Sequence, residues 1–424
     1  MASVQPLTRK RPFYSLSIYT TTRPTKLSKT IRLTEDGSVV KEAGGAMAYG
    51  NVETFEAHTP EHFLTLLKML NPSQALGFGI LKGGRKEAAI CPKEKLAPDA
   101  IPRTKDFFEW PAGPGILMLD YDPPPGGSAL TKTELLAALY HIAPALKTVP
   151  HVWAASAGSC VRNTITGEDV IGLRGQRVYV FANDATQIPA AMMNIYERSI
   201  LNGFGWPYFT AHGKVSPRAL FDISTGQPNR YDFAGGAECI APLIQVRPDP
   251  DLSAGDKDWA NLLEVFPPVT DEEKAKIEYT IQHMCSAPDV LETQKQKREQ
   301  FIATYLDKDI PALGPRIPAT TLRRLWTMLA HHQGGLLDAS KLAASLAVSG
   351  QTVVRYIDLL CDLMLVRRLP PWSGNVGKRL VRSPKVYVRD SGLVHALLGL
   401  QALDDVLGHP VAGGSWEGFV IEQL

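Results

Sequence analysis

The 424 residues predict an α/β fold over about residues 10–250, a mixed sheet with flanking helices, followed by a mainly helical winged-helix domain. Three observations predict this. Apolar runs of strand length, two of them ending in aspartate, alternate with capped helical patterns before residue 250. A proline- and acid-rich stretch, Pro242 to Pro268, then interrupts the chain. From about Gln300 helices dominate, and two of them stand in helix-turn-helix spacing. The division is 1–250, a helical connector over 251–297, and 298–424.

Phe13 to Thr22 alternates and is rich in aromatic and β-branched residues, so it reads as a strand. Thr59-Pro60-Glu61 places a cap and a first-turn proline before a helix through Phe63, Leu66, Leu67 and Leu70. Ala75 to Leu81 is a short strand entering the basic turn Lys82-Gly83-Gly84-Arg85. No P-loop pattern occurs there or elsewhere. Gly115 to Leu119 is apolar and runs into Asp120-Tyr121-Asp122, where three prolines stop it. On a strand Asp120 and Asp122 face one way, roughly 7 Å apart. Such a pair suits divalent metal ions, and it equally suits a buried strand ending in an acidic turn.

Thr131-Lys132-Thr133-Glu134 is a capping box opening a helix to Leu146. Val152 to Ala155 is a strand ending in Ser156-Ala157-Gly158-Ser159, a small turn able to offer N–H groups to phosphate. Residues 162–174 read as a hairpin or loop. Gly175 to Phe181 is a strand with Arg177, Tyr179 and Phe181 on one face. A helix over 188–201 follows, and then Ala219 to Ser224 repeats the apolar-then-aspartate pattern. Thr270 to Glu273 is a second capping box.

In the last third, helices are expected over 301–306, 320–331, 338–347 and 349–365, with Asp338 and Ser349 as N-caps. Leu365 to Leu369 and Lys385 to Arg389 alternate as two strands of a basic hairpin, completing a winged helix. Winged helices serve as DNA readers and as pure protein–protein modules; for the first, Arg355, Arg367, Arg368, Lys378 and Arg379 are the candidate contacts.

The net charge of +2 conceals two basic segments. Seven Lys/Arg and no acid precede Glu35, and sixteen basic residues face seven acidic ones between Lys295 and Asp390. Both suit a polyanionic partner. No apolar run approaches the ~20 residues of a membrane span. No secretory-type apolar segment opens the sequence. Five scattered cysteines without a C-x-x-C pair point to the cytoplasm.

The order Leu119-Asp120-Tyr121-Asp122, Ser156 to Ser159, Gly175 to Tyr179 and Phe221-Asp222-Ile223 resembles the archaeo-eukaryotic primase superfamily, more closely its plasmid- and phage-type primase-polymerases. Gln227 to Gly236 adds to that likeness. The resemblance implies a primase-polymerase-like sheet and nucleotidyl transfer on a DNA template from nucleoside triphosphates. It implies two Mg²⁺ or Mn²⁺ ions on Asp120, Asp122 and Asp222. Ser156, Ser159 and Arg177 would contact the nucleotide, with Lys214 and Arg218 as further candidates. Arg177 stands where that family has histidine.

From near Arg298, Gly314 to Ala319, Trp326 to His332, Val386 to Leu393 and Trp416 to Val420 are similar to the C-terminal part of a prokaryotic AAA-type ATPase family, here without its ATPase domain. That likeness suggests a separate helicase or ATPase as a partner. Three readings stand: a primase-polymerase of a mobile element, a non-catalytic DNA-binding replication protein, and an ATPase-family remnant acting by protein contact.

Overall fold

A computed structural model describes residues 13–22, 27–42, 44, 49–312, 317–371 and 383–424. The chain forms two compact units: Met1–Trp206 with Pro217–His283, and Pro207–Ser216 with Met284–Leu424. The first is mixed α/β and the second mainly helical. The expected connector over 251–297 is not a body of its own. The boundary falls inside the Asp271–Ser286 helix, because Ile277 and Ile281 of that helix pack on Ile200, Ala219 and Val269 of the first unit.

The centre of the first unit is a four-stranded antiparallel sheet. Its order is Gly115–Tyr121, Gln176–Ala182, His151–Ala155, Asp251–Ser253. The inner strands are covered on both faces, which is why they read as continuous apolar runs. Leu117, Leu119, Trp153, Val178 and Val180 pack toward the Lys132–Ile142 and Ile188–Leu201 helices. Ile116, Met118, Val152, Tyr179 and Phe181 pack on the other side with the Pro60–Met69 helix and the Tyr14–Thr21 strand. That second strand belongs to a five-stranded sheet, ordered Gln74–Gly77, Tyr14–Thr21, Gly50–Ala57, Glu87–Ile90, Ala100–Ile101.

Local chemistry starts the helices where the sequence places them. The Thr59 hydroxyl accepts from the His62 N–H, with Pro60 in the first turn. Thr131 and Glu134 cap each other's backbone reciprocally, as do Thr270 and Glu273. Each such cap is worth about 1 kcal/mol. Residues 162–174 resolve into a hairpin, Val161–Asn163 against Asp169–Ile171. Asp222, expected on a strand neighbouring that of Asp120 and Asp122, lies on no strand. Asp222 instead uses its own carboxylate to accept from the Ser224 N–H and caps the short turn Ile223–Gly226, a local bond that competes with a sheet ladder.

In the second unit, helices Ala339–Leu346 and Gly350–Asp362 are capped by Asp338 and Ser349 as expected, with Ala347 at φ 55° in the tight turn between them. Val366–Leu369 and Lys385–Val388 pair antiparallel. Trp326, Leu329, Leu342, Val353, Ile357 and Val386 form the core. The helix expected over 301–306 is the end of a longer one, Pro288–Thr304. Residues 314–316, Lys378 and Arg379 lie outside the described residues.

Candidate functional site: a carboxylate cluster beside a cationic turn

The site grows from strand register. Asp120 is directly opposite Arg177, on the face that carries Met118 and Tyr179. Neighbouring apolar residues bury both side chains, to 20% and 9% exposure. The Arg177 Nε lies 2.8 Å from Asp232 Oδ1 and 3.6 Å from Asp120 Oδ1. Neither approach has the alignment of a hydrogen bond, and Arg177 Nη1 and Asp120 Oδ1 are buried without a hydrogen-bond partner. Asp232 is fully buried and accepts a 2.6 Å bond from the Tyr179 hydroxyl. Arg177 therefore sits between two carboxylates.

Asp222 joins through the backbone, its N–H donating to the Asp120 carbonyl at 2.9 Å. Its Oδ1 accepts from Ser224 N–H and from Arg218 Nη1, the latter at 3.2 Å. Asp122 is exposed just beyond the strand end. A Cβ on Gly175 would lie 2.7 Å from Asp122 Oδ1 and 2.5 Å from Ser156 Oγ. Only glycine leaves room there for the acidic strand end and the serine turn to meet. Burial pushes the Asp120 carboxyl up to about 6. Arg177 opposes that rise, while Asp122, Asp232 and Asp222 add to it. Arg177 keeps its proton: burial favours the neutral form, and Asp120 and Asp232 more than reverse this.

The serine turn is built differently from the expectation. The Ser159 hydroxyl is fully buried, donates to the Gly175 carbonyl at 3.0 Å and accepts from the Arg174 N–H at 3.1 Å. Ser156 Oγ accepts from the Gly158 N–H at 3.3 Å. Both hydroxyls bond within their own turn. Arg177 is likewise engaged by carboxylates and buried rather than presented outward. Lys214 belongs to Pro207–Ser216, in the second unit, and is not counted with these groups.

The positive charge at the turn comes from residues whose role the sequence did not reveal. Lys41 Nζ donates to the Gly158 carbonyl at 3.2 Å, and Lys29 Nζ lies 3.4 Å from where a Gly158 Cβ would stand. Partial burial and the like charges of Lys29 and Arg174 lower the Lys41 pKa, and Asp122 opposes that. Lys29, Lys41 and Arg174 are exposed. Lys41 is 117 residues from Gly158, and only the hairpin Thr30–Leu33 with Val39–Glu42 brings it there.

In the second unit Arg355 is exposed on its helix. Arg367 and Arg368 are ion-paired, with Glu422 at 2.6 Å and Asp358 at 2.5 Å. A hollow of about 880 Å³ beside Thr20, Asn51, Glu53, Arg85 and Asp99 includes none of the clustered carboxylates. It is an open sheet face of mixed charge, and the carboxylate cluster is the better candidate on chemistry.

Among the described residues no three His, Cys, Asp or Glu side chains are grouped so as to hold a metal ion. The donor chemistry nevertheless suits a hard divalent cation, being carboxylate oxygens of which one, on Asp120, is buried without a hydrogen bond. Among those residues no helix is long and apolar enough to cross a membrane.

A family described as a domain of unknown function, DUF8612, matches residues 286–404, which lie within the second unit. Uncharacterized proteins of Mycobacterium bovis and Mycobacterium tuberculosis are each 52% identical to this chain over 127 residues, covering 30% of it and 29% of each relative. The chain thus spans less than a third of the curated relatives it matches. No solved structure matches.

Proposed function

We propose that the first unit is a metal-dependent nucleotidyl transferase of primase-polymerase type, extending a strand on a DNA template. The observation that carries this reading is Asp122, which stands at Gly175 within reach of Lys41 and its neighbours Lys29 and Arg174 and also acts on Asp120, as Asp222 does. A carboxylate group beside an exposed cationic turn is the charge pattern that a nucleoside triphosphate and its divalent ions require.

In this reading Lys29, Lys41 and Arg174 hold the triphosphate, and Asp122 and Asp222, with Asp120, hold the divalent ions, Mg²⁺ or Mn²⁺. Such ions neutralise phosphate charge and acidify the attacking hydroxyl. The attacking hydroxyl would lose its proton to solvent water, a loss that those ions would ease. The hydroxyl oxygen then bonds to the α-phosphorus and pyrophosphate leaves.

The ion pair between Arg177 and Asp120 favours a second reading, a non-catalytic DNA-binding replication protein, because it partly answers the charge a metal would answer. On either reading the winged-helix unit contributes DNA contact through Arg355, and a separate ATPase is a candidate partner.

Incorporation of labelled nucleotides on single-stranded DNA with Mg²⁺ or Mn²⁺ separates the two. The first reading predicts product from the parent and none from the Asp120→Ala, Asp122→Ala double variant. Absence of product with either ion, alongside DNA binding that the double variant keeps, selects the second.

A further inference from the structure

The helix-turn-helix of the second unit leaves one face without a task in the fold. Its bend is fixed by local chemistry. Ala347 at φ 55° ends the Ala339–Leu346 helix, and the Ser349 hydroxyl accepts from the Thr352 N–H to start the Gly350–Asp362 helix. Val353, Ile357 and Leu360 bury one side of that second helix in the core. On the other side, its first two turns expose Gln351, Val354 and Arg355. Standing at i, i+3 and i+4, the three form one patch. The Gln351 amide and the Arg355 guanidinium make no hydrogen bond or ion pair among the described residues.

Charge gives the patch its sign. From Ala339 to Ile357 the sequence carries Lys341 and Arg355 and no acid. The acids that bracket this stretch are answered, Asp338 by Lys341 at 3.6 Å and Asp358 by Arg368 at 2.5 Å. The preceding helix, Ala319–His331, brings a further exposed cation to the bend: Arg324 Nη2 donates to the Ser345 carbonyl at 3.2 Å. The patch also sits at the positive end of its own helix. A protein partner asks for a wider apolar area than one valine set between a glutamine and an arginine. The same three side chains suit the floor of the DNA major groove.

We propose that the Gly350–Asp362 helix enters the major groove of duplex DNA and reads base edges through Gln351, Val354 and Arg355, so that the second unit binds a chosen double-stranded sequence. This rests on the DNA contact through Arg355 stated above and deepens it. An arginine donates to both acceptors of guanine, a glutamine amide matches the donor and acceptor of adenine, and an apolar side chain packs on the thymine methyl. From Gln351 to Arg355 the helix rises about 6 Å, which spans about two or three base pairs. Arg324 serves a phosphate, holding position without reading sequence.

The test is selection of duplexes from a randomised pool by the full chain. Competition titrations with the selected and a scrambled duplex follow, with folding checked by circular dichroism. The proposal predicts an enriched core of about two or three base pairs, G·C beside A·T, bound about tenfold or more tightly than the scrambled duplex. Arg355→Lys keeps the charge, and with it the affinity for scrambled duplex and its salt dependence. It is expected to lose about tenfold on the selected duplex, because a lysine lacks the planar fork. Gln351→Ala relaxes the preference at an A·T pair, and Arg324→Ala weakens both duplexes alike. A chain that enriches no sequence, or a folded Arg355→Lys variant that keeps the parent's preference, overturns the proposal and leaves DNA contact by the second unit intact. Binding to both duplexes that survives Arg324→Ala and Arg355→Ala together overturns that contact as well and assigns the patch to a protein partner.

Discussion

Each unit of this chain holds a three-membered charge group, and the two groups are inverses. In the first unit one arginine, Arg177, lies between two carboxylates, Asp120 and Asp232. In the second, one carboxylate, Glu422, lies between two arginines, Arg367 and Arg389. Glu422 Oε2 accepts three N–H bonds, from Arg389 at 2.9 and 2.7 Å and from Arg367 at 3.1 Å. Burial raises the Glu422 pKa, but the bonds from Arg389 and Arg367 outweigh it and the net shift is downward. Asp120 shifts the opposite way, because burial and three neighbouring carboxylates outweigh one arginine. The lesson is that the surplus sign, not burial itself, separates structure from candidate function. The Glu422 group sets two cations on one carboxylate and fastens the last helix to the hairpin. The Asp120 group keeps an unmet negative charge next to a cationic turn, which stability alone does not ask for.

Removing the shared cation is the hardest way to break this comparison. Arg177→Met leaves two buried carboxylates uncompensated and should cost about 3–5 kcal/mol, read by urea unfolding of the first unit. Next comes pH. The folded chain holds the Asp120 proton more tightly than the unfolded chain does, with a value of about 6 against 3.8. Stability from this group is therefore present below about pH 4 and declines as pH rises to about 6, by roughly 2–3 kcal/mol. Unfolding measured from pH 4 to 7 with a chelator present should show that decline, and Asp120→Asn should flatten it.

Smaller still, Lys41→Ala sharpens the other half of the site. Losing one of three exposed cations should weaken pyrophosphate binding by about tenfold, or about 1.4 kcal/mol, with little change in melting temperature. Arg355→Ala, at an exposed helix position, should move stability by less than about 0.5 kcal/mol and lower DNA affinity with a shallower salt dependence.

Much of the fold was legible because local chemistry fixed it. Thr59, Thr131, Thr270, Asp338 and Ser349 announce helix starts through side chains that bond their own backbone a few residues on. Alternation placed Arg177, Tyr179 and Phe181 on one face, and the register kept them there. Asp222 misled because a strand-like composition preceded an aspartate that capped its own turn. The site was legible only in its acids. Asp232 reaches Arg177 from a glycine-ended turn, and Lys41 reaches Gly158 from a hairpin far back in the chain. Neither approach leaves a periodic trace, since both depend on how distant segments pack. Ser156 and Ser159 show the opposite difficulty. A hydroxyl-rich turn reads the same whether its hydroxyls face a phosphate or, as here, their own turn.

The most direct measurement compares thermal unfolding of Asp120→Asn and Glu422→Gln with the parent, at pH 7 with a chelator present. The account predicts opposite signs. Asp120→Asn removes an unmet charge and should raise the melting temperature of its unit. Glu422→Gln removes the one carboxylate between two arginines and should lower that of its own, each by roughly 2 °C or more. If Asp120→Asn lowers the melting temperature as Glu422→Gln does, Asp120 is satisfied where it stands, and the carboxylate cluster loses the surplus charge on which the functional reading rests.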